Sequence, residues 1–182
     1  MKKFVLAAVA FMASLGAAQA QDLFSKGESA LNIGIGIGHS YGGSGVSIPP
    51  LSVAYDYSLV SNLINGNNGA ITLGAYGAYT STSVRYDGFG SITGSHTVIG
   101  ARGMFHYQFA PKLDTYAGLM LGYHIASYSN NFNINGYSGI SGSGIDLGVL
   151  LGARYFFTDR IGMFTELGYT LPYWNLGVTF RL

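Results

Sequence analysis

The stretch Ile99-Gly100-Ala101-Arg102-Gly103-Met104-Phe105-His106-Tyr107-Gln108-Phe109 sets Ile99, Ala101, Phe105, Tyr107 and Phe109 on alternate positions, against Gly100, Arg102, Met104, His106 and Gln108. Side chains of a β-strand point to opposite faces with a period of two, so this segment has one greasy face and one small or polar face that also holds its charge. Leu31, Ile33, Ile35 and Ile37 stand against Asn32, Gly34, Gly36 and Gly38 in the same way. About eight such segments follow one another, and they predict strands over roughly 30–41, 48–59, 69–82, 95–109, 115–127, 144–157, 161–171 and 173–182. Apolar residues take odd numbers in the first seven. In the eighth they take even ones (Trp174, Leu176, Val178, Phe180, Leu182), with Pro172 between the two registers marking a tight turn or bulge.

Charged residues make up 9% of the chain, whereas a soluble domain carries about 25%. There is too little Lys and Glu here to cover a water-facing surface. After the first twenty residues no run of about 18 apolar residues occurs, so no spanning helix is available. A chain too greasy for water and too interrupted for helices has one spanning solution left, a closed barrel. The expected fold is therefore all-β: an eight-stranded antiparallel transmembrane up-and-down β-barrel with its apolar face toward lipid. A soluble, ligand-carrying barrel would turn that face inward. It is disfavoured because the polar face has few charges, and eight strands leave little room for stacked Ile, Leu, Phe, Tyr and a cargo.

Residues 1–20 have the form of a secretory signal: Lys2 and Lys3, an apolar run from Phe4 to Leu15, and Ala18-Gln19-Ala20 before Gln21. The expected mature barrel is then 21–182, and loss of the two lysines takes the formal net charge from +1 to −1. Nothing in that charge calls for a nucleic-acid partner. Cysteine is absent, which excludes a disulfide frame or a thiolate metal site.

With the first strand starting in the periplasm, the turns near 110–114 and 158–160 fall on the periplasmic side. The stretches 42–47, 86–94 and 128–143 become outer loops. Loop 128–143, rich in Asn, Gly and Ser, is the contact candidate through Tyr128, Phe132 and Tyr137. Tyr57, Tyr107, Phe109, Tyr155, Phe157 and Phe180 gather at the periplasmic strand ends, and Tyr41, Tyr79, Tyr123, Tyr169 and Trp174 at the outer ends. Aromatic rings concentrate at lipid–water boundaries, so these form two expected girdles.

The inward face holds Asp56, Arg102, Asp146, Arg154, Glu166 and Arg181, with His106 nearby. An isolated inward ion costs several kcal/mol to desolvate, so pairing is expected, and with it an occluded interior rather than an open pore. Counting along the strands sets Glu166 diagonal to Arg154 on one side and to Arg181 on the other. Asp56 and Arg102 would form a second group with His106.

At this point the chain resembles the small eight-stranded outer-membrane barrels of the outer membrane protein A and X type, within the porin-family β-barrels. The resemblance covers 22–182 and rests on the signal, the eight alternating segments and the closing Trp174-Asn175-Leu176-Gly177-Val178-Thr179-Phe180-Arg181-Leu182. In that family the last strand ends in an aromatic read by the barrel-insertion machinery. Here Leu182 is last, with Phe180 two before it. The resemblance implies export to the bacterial outer membrane, contact with outer-membrane lipid and lipopolysaccharide, insertion by that machinery, a monomer and no cofactor. Since the last expected strand reaches 182, a barrel without the peptidoglycan-binding domain of the A type is expected.

These features speak to architecture, and three functions stay open. The first is a non-enzymatic structural or surface-contact role. The second is a lipid-modifying enzyme, for which His39 with Ser40, His96 with Ser95, and His124 with Ser127 are the available pairs. Sequence neighbours on a strand face opposite ways, and no carboxylate orients these histidines, so no catalytic residue is assigned. The third is a narrow channel. The histidines are also too scattered in sequence to read as a metal-ligand motif.

Overall fold

The computed structural model describes residues 24–39, 45–64, 69–86, 90–130 and 142–182. Eight strands follow in order: β1 (Ser29–Ile37), β2 (Val46–Val60), β3 (Gly69–Tyr86), β4 (Gly90–Ala110), β5 (Leu113–Asn130), β6 (Gly142–Phe156), β7 (Ile161–Gly168) and β8 (Trp174–Arg181). Each pairs antiparallel with the next, and β8 returns to β1 through pairs running from Ala30↔Arg181 to Ile37↔Trp174. The ring is closed, so no strand edge is left to recruit another chain.

The period-two reading decides which face is outside. Ile33, Ile35, Leu51, Val53, Leu119, Leu121, Ile145, Leu147, Val149 and Leu151 are all exposed, Ile145 to 77%, while Asn32, Asp56, Arg102 and Arg154 are buried to 1% exposure or less. β8 follows its switched parity, with Trp174, Leu176 and Val178 outward and Asn175 and Thr179 inward. A continuous apolar belt of this size has no place on a water-soluble surface. The soluble-carrier alternative, which needs these side chains inside, is excluded.

Three boundary expectations change. The loop expected at 86–94 is mostly strand: β3 and β4 pair down to Tyr86↔Gly90. Likewise β5 extends to Asn130, which puts Tyr128 on a strand and not in a loop. The Ser- and Thr-rich sequence there reads as loop because a hairpin projecting past the apolar belt is wet on both faces and drops the alternation. Its Thr, Val, Ile and Tyr still favour strand. In the other direction, β7 ends at Gly168, short of the expected 171, and residues 169–173 turn back into the barrel mouth, with Thr170, Leu171 and Pro172 buried. The Tyr76 hydroxyl donates to the Leu171 carbonyl and pins that turn across the lumen.

The lumen is narrow and filled. Tyr76, Val98, Met104, Tyr116, Met120, Leu150 and Leu171 form an apolar cluster inside it. At the end carrying the first and last strand ends, Phe24 turns in ahead of β1 and packs with Ala30, Ala70 and Phe156. Gly152 shows how tight the fit is, because a Cβ there would run into the Tyr116 ring. Gly152→Val should therefore lower the unfolding free energy, read from urea titration of the barrel in lipid vesicles, by about 1–3 kcal/mol of overpacking. Val149→Ala on the outward face should be close to neutral by the same measurement.

Candidate functional site

Strand alternation carries one polar side chain after another onto the same inner wall, and all eight strands supply a member of one network. Asp56 (β2) takes a bidentate bond from Arg102 (β4), Nε to Oδ1 at 2.7 Å and Nη2 to Oδ2 at 2.6 Å. The remaining Arg102 nitrogen, Nη1, donates to Glu166 Oε1 (β7) at 2.9 Å, and the Tyr116 hydroxyl (β5) donates to the same oxygen at 2.8 Å. Arg154 (β6) reaches Asp56 Oδ2 through Nη2 and Asp114 Oδ2 (β5) through Nη1 at 3.3 Å. His106 (β4) places Nδ1 2.9 Å from Asp114 Oδ1 and Nε2 2.9 Å from Thr72 Oγ1 (β3). With its amide oxygen turned to the guanidiniums, Asn32 (β1) accepts from Arg102 at 3.0 Å and Arg154 at 2.8 Å. Its nitrogen then donates to Thr179 (β8) at 2.7 Å.

Both guanidiniums are fully buried, and aromatic faces cover what the carboxylates leave. Arg154 lies 4.5 Å from the Tyr116 ring centre and 5.5 Å from that of Phe24, and Arg102 lies 5.8 Å from Tyr76. Buried charge of this density persists only where every ion is paired and bonded further, and Asn32, Thr72 and Tyr116 supply those additional bonds.

Several sequence expectations meet this arrangement differently. Asp56 and Arg102 meet across β3, and the ion-pair partner of Glu166 is Arg102, across the lumen, in place of Arg154 or Arg181. Counting diagonal neighbours follows the sheet surface, whereas in a narrow closed barrel long side chains meet through the centre. Arg181 pairs with Ala30 at the end of the barrel where β1 begins, with its guanidinium 5.0 Å from the Phe156 ring centre. Asp146 is half-buried toward the other end, diagonal to His124 through the pairs Gly122↔Asp146 and His124↔Gly144. Asp114 joins the network unforeseen, because the sequence reading leaves it in a turn. The turn is in fact only Pro111-Lys112, closed by the left-handed φ of 65° at Lys112, and β5 starts at Leu113. Phe24 carries no sequence signal that would place it inside.

Tyr57, Tyr107, Phe109, Tyr155, Phe157 and Phe180 gather at the end of the barrel where β1 begins, where Tyr107 meets Phe109 edge-on and Tyr155 meets Phe157. Trp174 opens β8 and Tyr169 follows β7, with Trp174 Nε1 donating to Thr165 Oγ1 at 2.9 Å, whereas Tyr79 and Tyr123 lie within β3 and β5, short of the ends those strands reach at Tyr86 and Asn130. Tyr41, Phe132, Tyr137 and the signal segment 1–20 lie outside the described residues.

Toward the outer end the lumen holds three histidines together. His96 Nδ1 is 3.1 Å from His124 Nε2, their rings stack at 5.3 Å, and His39 stacks on His96 at 6.3 Å. His39 has odd parity and should face outward. Gly38, with φ of 73°, breaks the strand register and turns it in. Of the serines in the enzyme alternative, Ser95 takes a bond from the outward Tyr79 hydroxyl at 3.3 Å while His96 points into the lumen, and Ser40 lies outside the described residues.

Neither a protein-family model nor a curated protein matches the chain. Solved structures do. The attachment invasion locus protein Ail of Yersinia pestis, in complex with the heparin analogue sucrose octasulfate, aligns with 17% identity over 87% of this chain and 100% of that one, at a TM-score of 0.57. The N-terminal β-barrel domain of Pseudomonas aeruginosa OprF aligns with 15% identity over 86% of this chain and 98% of that one, at 0.56. The chain has the fold of the small eight-stranded outer-membrane barrels. At such identities the likeness is one of architecture, and the ion network above is described from this chain's own residues.

Because Asp56 is shared by both guanidiniums, Asp56→Asn should be the most damaging single change, costing about 4 kcal/mol. Glu166→Ala leaves Arg102 its Asp56 partner and should cost about 3 kcal/mol. Tyr116→Phe removes one hydrogen bond and should cost about 1.5 kcal/mol. Urea unfolding in lipid vesicles, followed through Trp174 fluorescence, checks that order; a Glu166→Ala barrel as stable as wild type would mean that the carboxylate is hydrated.

Proposed function

We propose that this protein is an integral outer-membrane β-barrel with an occluded interior and a non-enzymatic role in envelope structure and surface contact. The observation that carries the reading is the network joined by all eight strands, which fills the cross-section with buried, mutually bonded groups. Apolar layers lie to either side of it, one around Met120 and Leu171 and one around Phe24. An ion entering such a lumen would have to break charge-assisted bonds in a medium of low dielectric, a barrier and not a path.

On this reading the segment 1–20 directs export and is removed. The closing strand 174–182 is read by the barrel-insertion machinery, and the apolar belt sits in outer-membrane lipid between the two aromatic girdles, beside lipopolysaccharide in the outer leaflet. The barrel works as a monomer and needs no cofactor. The outer segments present Tyr128, Phe132 and Tyr137 for contact. Ail was solved with a sulfated sugar, but the outer segments 38–47, 83–94, 126–143 and 169–173 of this chain contain a single Lys or Arg, Arg85. A polyanion would find almost no counter-charge there, so the contact chemistry favoured is aromatic and amide-rich.

Planar-bilayer recording tests the occluded interior. The purified protein should insert without steady current, and reproducible ohmic steps from wild type would replace this reading with the narrow channel. Incubation with labelled lipid A or phospholipid should show neither acyl transfer nor release, and turnover of either lipid would favour the lipid-modifying enzyme.

A further inference from the structure

The outer half of the lumen holds a second polar group, separate from the ion network. His39 follows β1, His96 lies on β4 and His124 on β5, yet their rings form one stack. His96 Nδ1 and His124 Nε2 share a hydrogen bond of 3.1 Å, a spacing close to that of two ligands on one tetrahedral ion with metal–nitrogen bonds of about 2.0–2.1 Å, so an ion would take the place of the shared proton. His39 Nδ1 is a buried nitrogen with no hydrogen-bond partner among the described residues. Its position is fixed from behind, since the left-handed Gly38 turns the chain inward and the Gly38 carbonyl accepts from Tyr173 N at 3.2 Å.

The surroundings suit a ligand set better than a packing cluster. Asp146 stands diagonal to His124 on the inner wall, the place of a carboxylate that orients an imidazole or completes a coordination sphere. Beside it, no described residue comes within 4 Å of where a Cβ on Gly142 or Gly144 would be, which leaves room on that side among the described residues. His39 and His124 are half-buried while His96 is buried, which grades access from rim to floor. Among the described residues no three ligating groups already surround one point, so closure requires rotation of the His39 and Asp146 side chains.

We propose that the outer mouth of the barrel is a binding site for a first-row divalent transition metal, with His39, His96 and His124 as ligands and Asp146 as fourth ligand or orienting carboxylate. Three neutral imidazoles with one carboxylate select zinc, nickel or copper over calcium and magnesium, which prefer all-oxygen shells. The site would let an otherwise occluded barrel capture a metal ion at the cell surface.

The test uses the untagged, refolded protein in detergent micelles, titrated with zinc by calorimetry and with cobalt by visible spectroscopy. Wild type should bind one equivalent, show the visible bands of a tetrahedral nitrogen-rich cobalt site, and lose them when zinc is added. H39A, H96A and H124A should each abolish stoichiometric binding while keeping the heat-modifiable gel mobility of a folded barrel, and D146N should weaken it about 10-fold. Should H96A fail to fold, the half-exposed positions carry the test through H39A and H124Q. Absence of saturable one-to-one binding in wild type, or unchanged binding in the folded histidine variants, overturns the proposal.

Discussion

The bond on which the rest of this barrel depends is the bidentate pair between Arg102 and Asp56, extended by Arg154 on the same carboxylate. Moving an ion from water into a narrow lumen costs several kcal/mol even after relaxation, so a guanidinium there is tolerable only if its carboxylate arrives with it. Asp56 lies on β2, Arg102 on β4 and Arg154 on β6, so the three meet only when the intervening strands are in register and the ring is closed. Glu166 and Asp114 add β7 and β5, and Asn32 adds β1. Formation of the network is thus a condition on the whole topology and not a local event.

The same condition acts from outside. A one-residue slip of a strand exchanges its two faces, which for β2, β4, β5, β6 or β7 would move a buried charge into the apolar belt and an apolar side chain into the lumen. A charge on a lipid face costs about 2–4 kcal/mol near the midplane, and the lumen, already crowded at Gly152 against Tyr116, has no room for that side chain. Belt and network therefore penalise the same error. That double penalty explains how a sheet rich in glycine, with weak intrinsic strand preference, can hold one register.

Much of this was legible from parity alone, because alternation is a property of one strand and needs no knowledge of the others. Eight segments, the switch in the last of them, the outward Ile and Leu and the inward Asp56, Arg102, Arg154 and Glu166 all follow from it. What parity cannot reach is any contact made through the centre. Glu166 on Arg102 depends on the barrel's width, and Phe24 under Arg154 on a segment before the first strand. His39 beside His96 depends on one positive φ at Gly38, which reverses the parity at that point. Asp114 was lost for a smaller reason: Pro111 and Asp114 both suit turns, and only a two-residue turn places Asp114 on the inner wall. Three histidines scattered in sequence became neighbours in the same way that scattered charges did.

The lumen is in consequence divided along its axis. Val98, Met120, Leu150 and Leu171 lie between the ion network and the histidine stack, held there by the inward fold of residues 169–173 and the bond from Tyr76 to Leu171. An apolar layer excludes water, and without water between them the two polar groups cannot exchange solvation or share counter-ions. Titration or occupancy of the outer histidines then leaves the pairing of Arg102 and Arg154 intact, so the part of the molecule that fixes the fold is insulated from the part that faces the environment. Sequence change at the mouth costs little stability, whereas change at Asp56 reaches every strand, and new surface chemistry in such a barrel can therefore arise above the apolar layer and not below it.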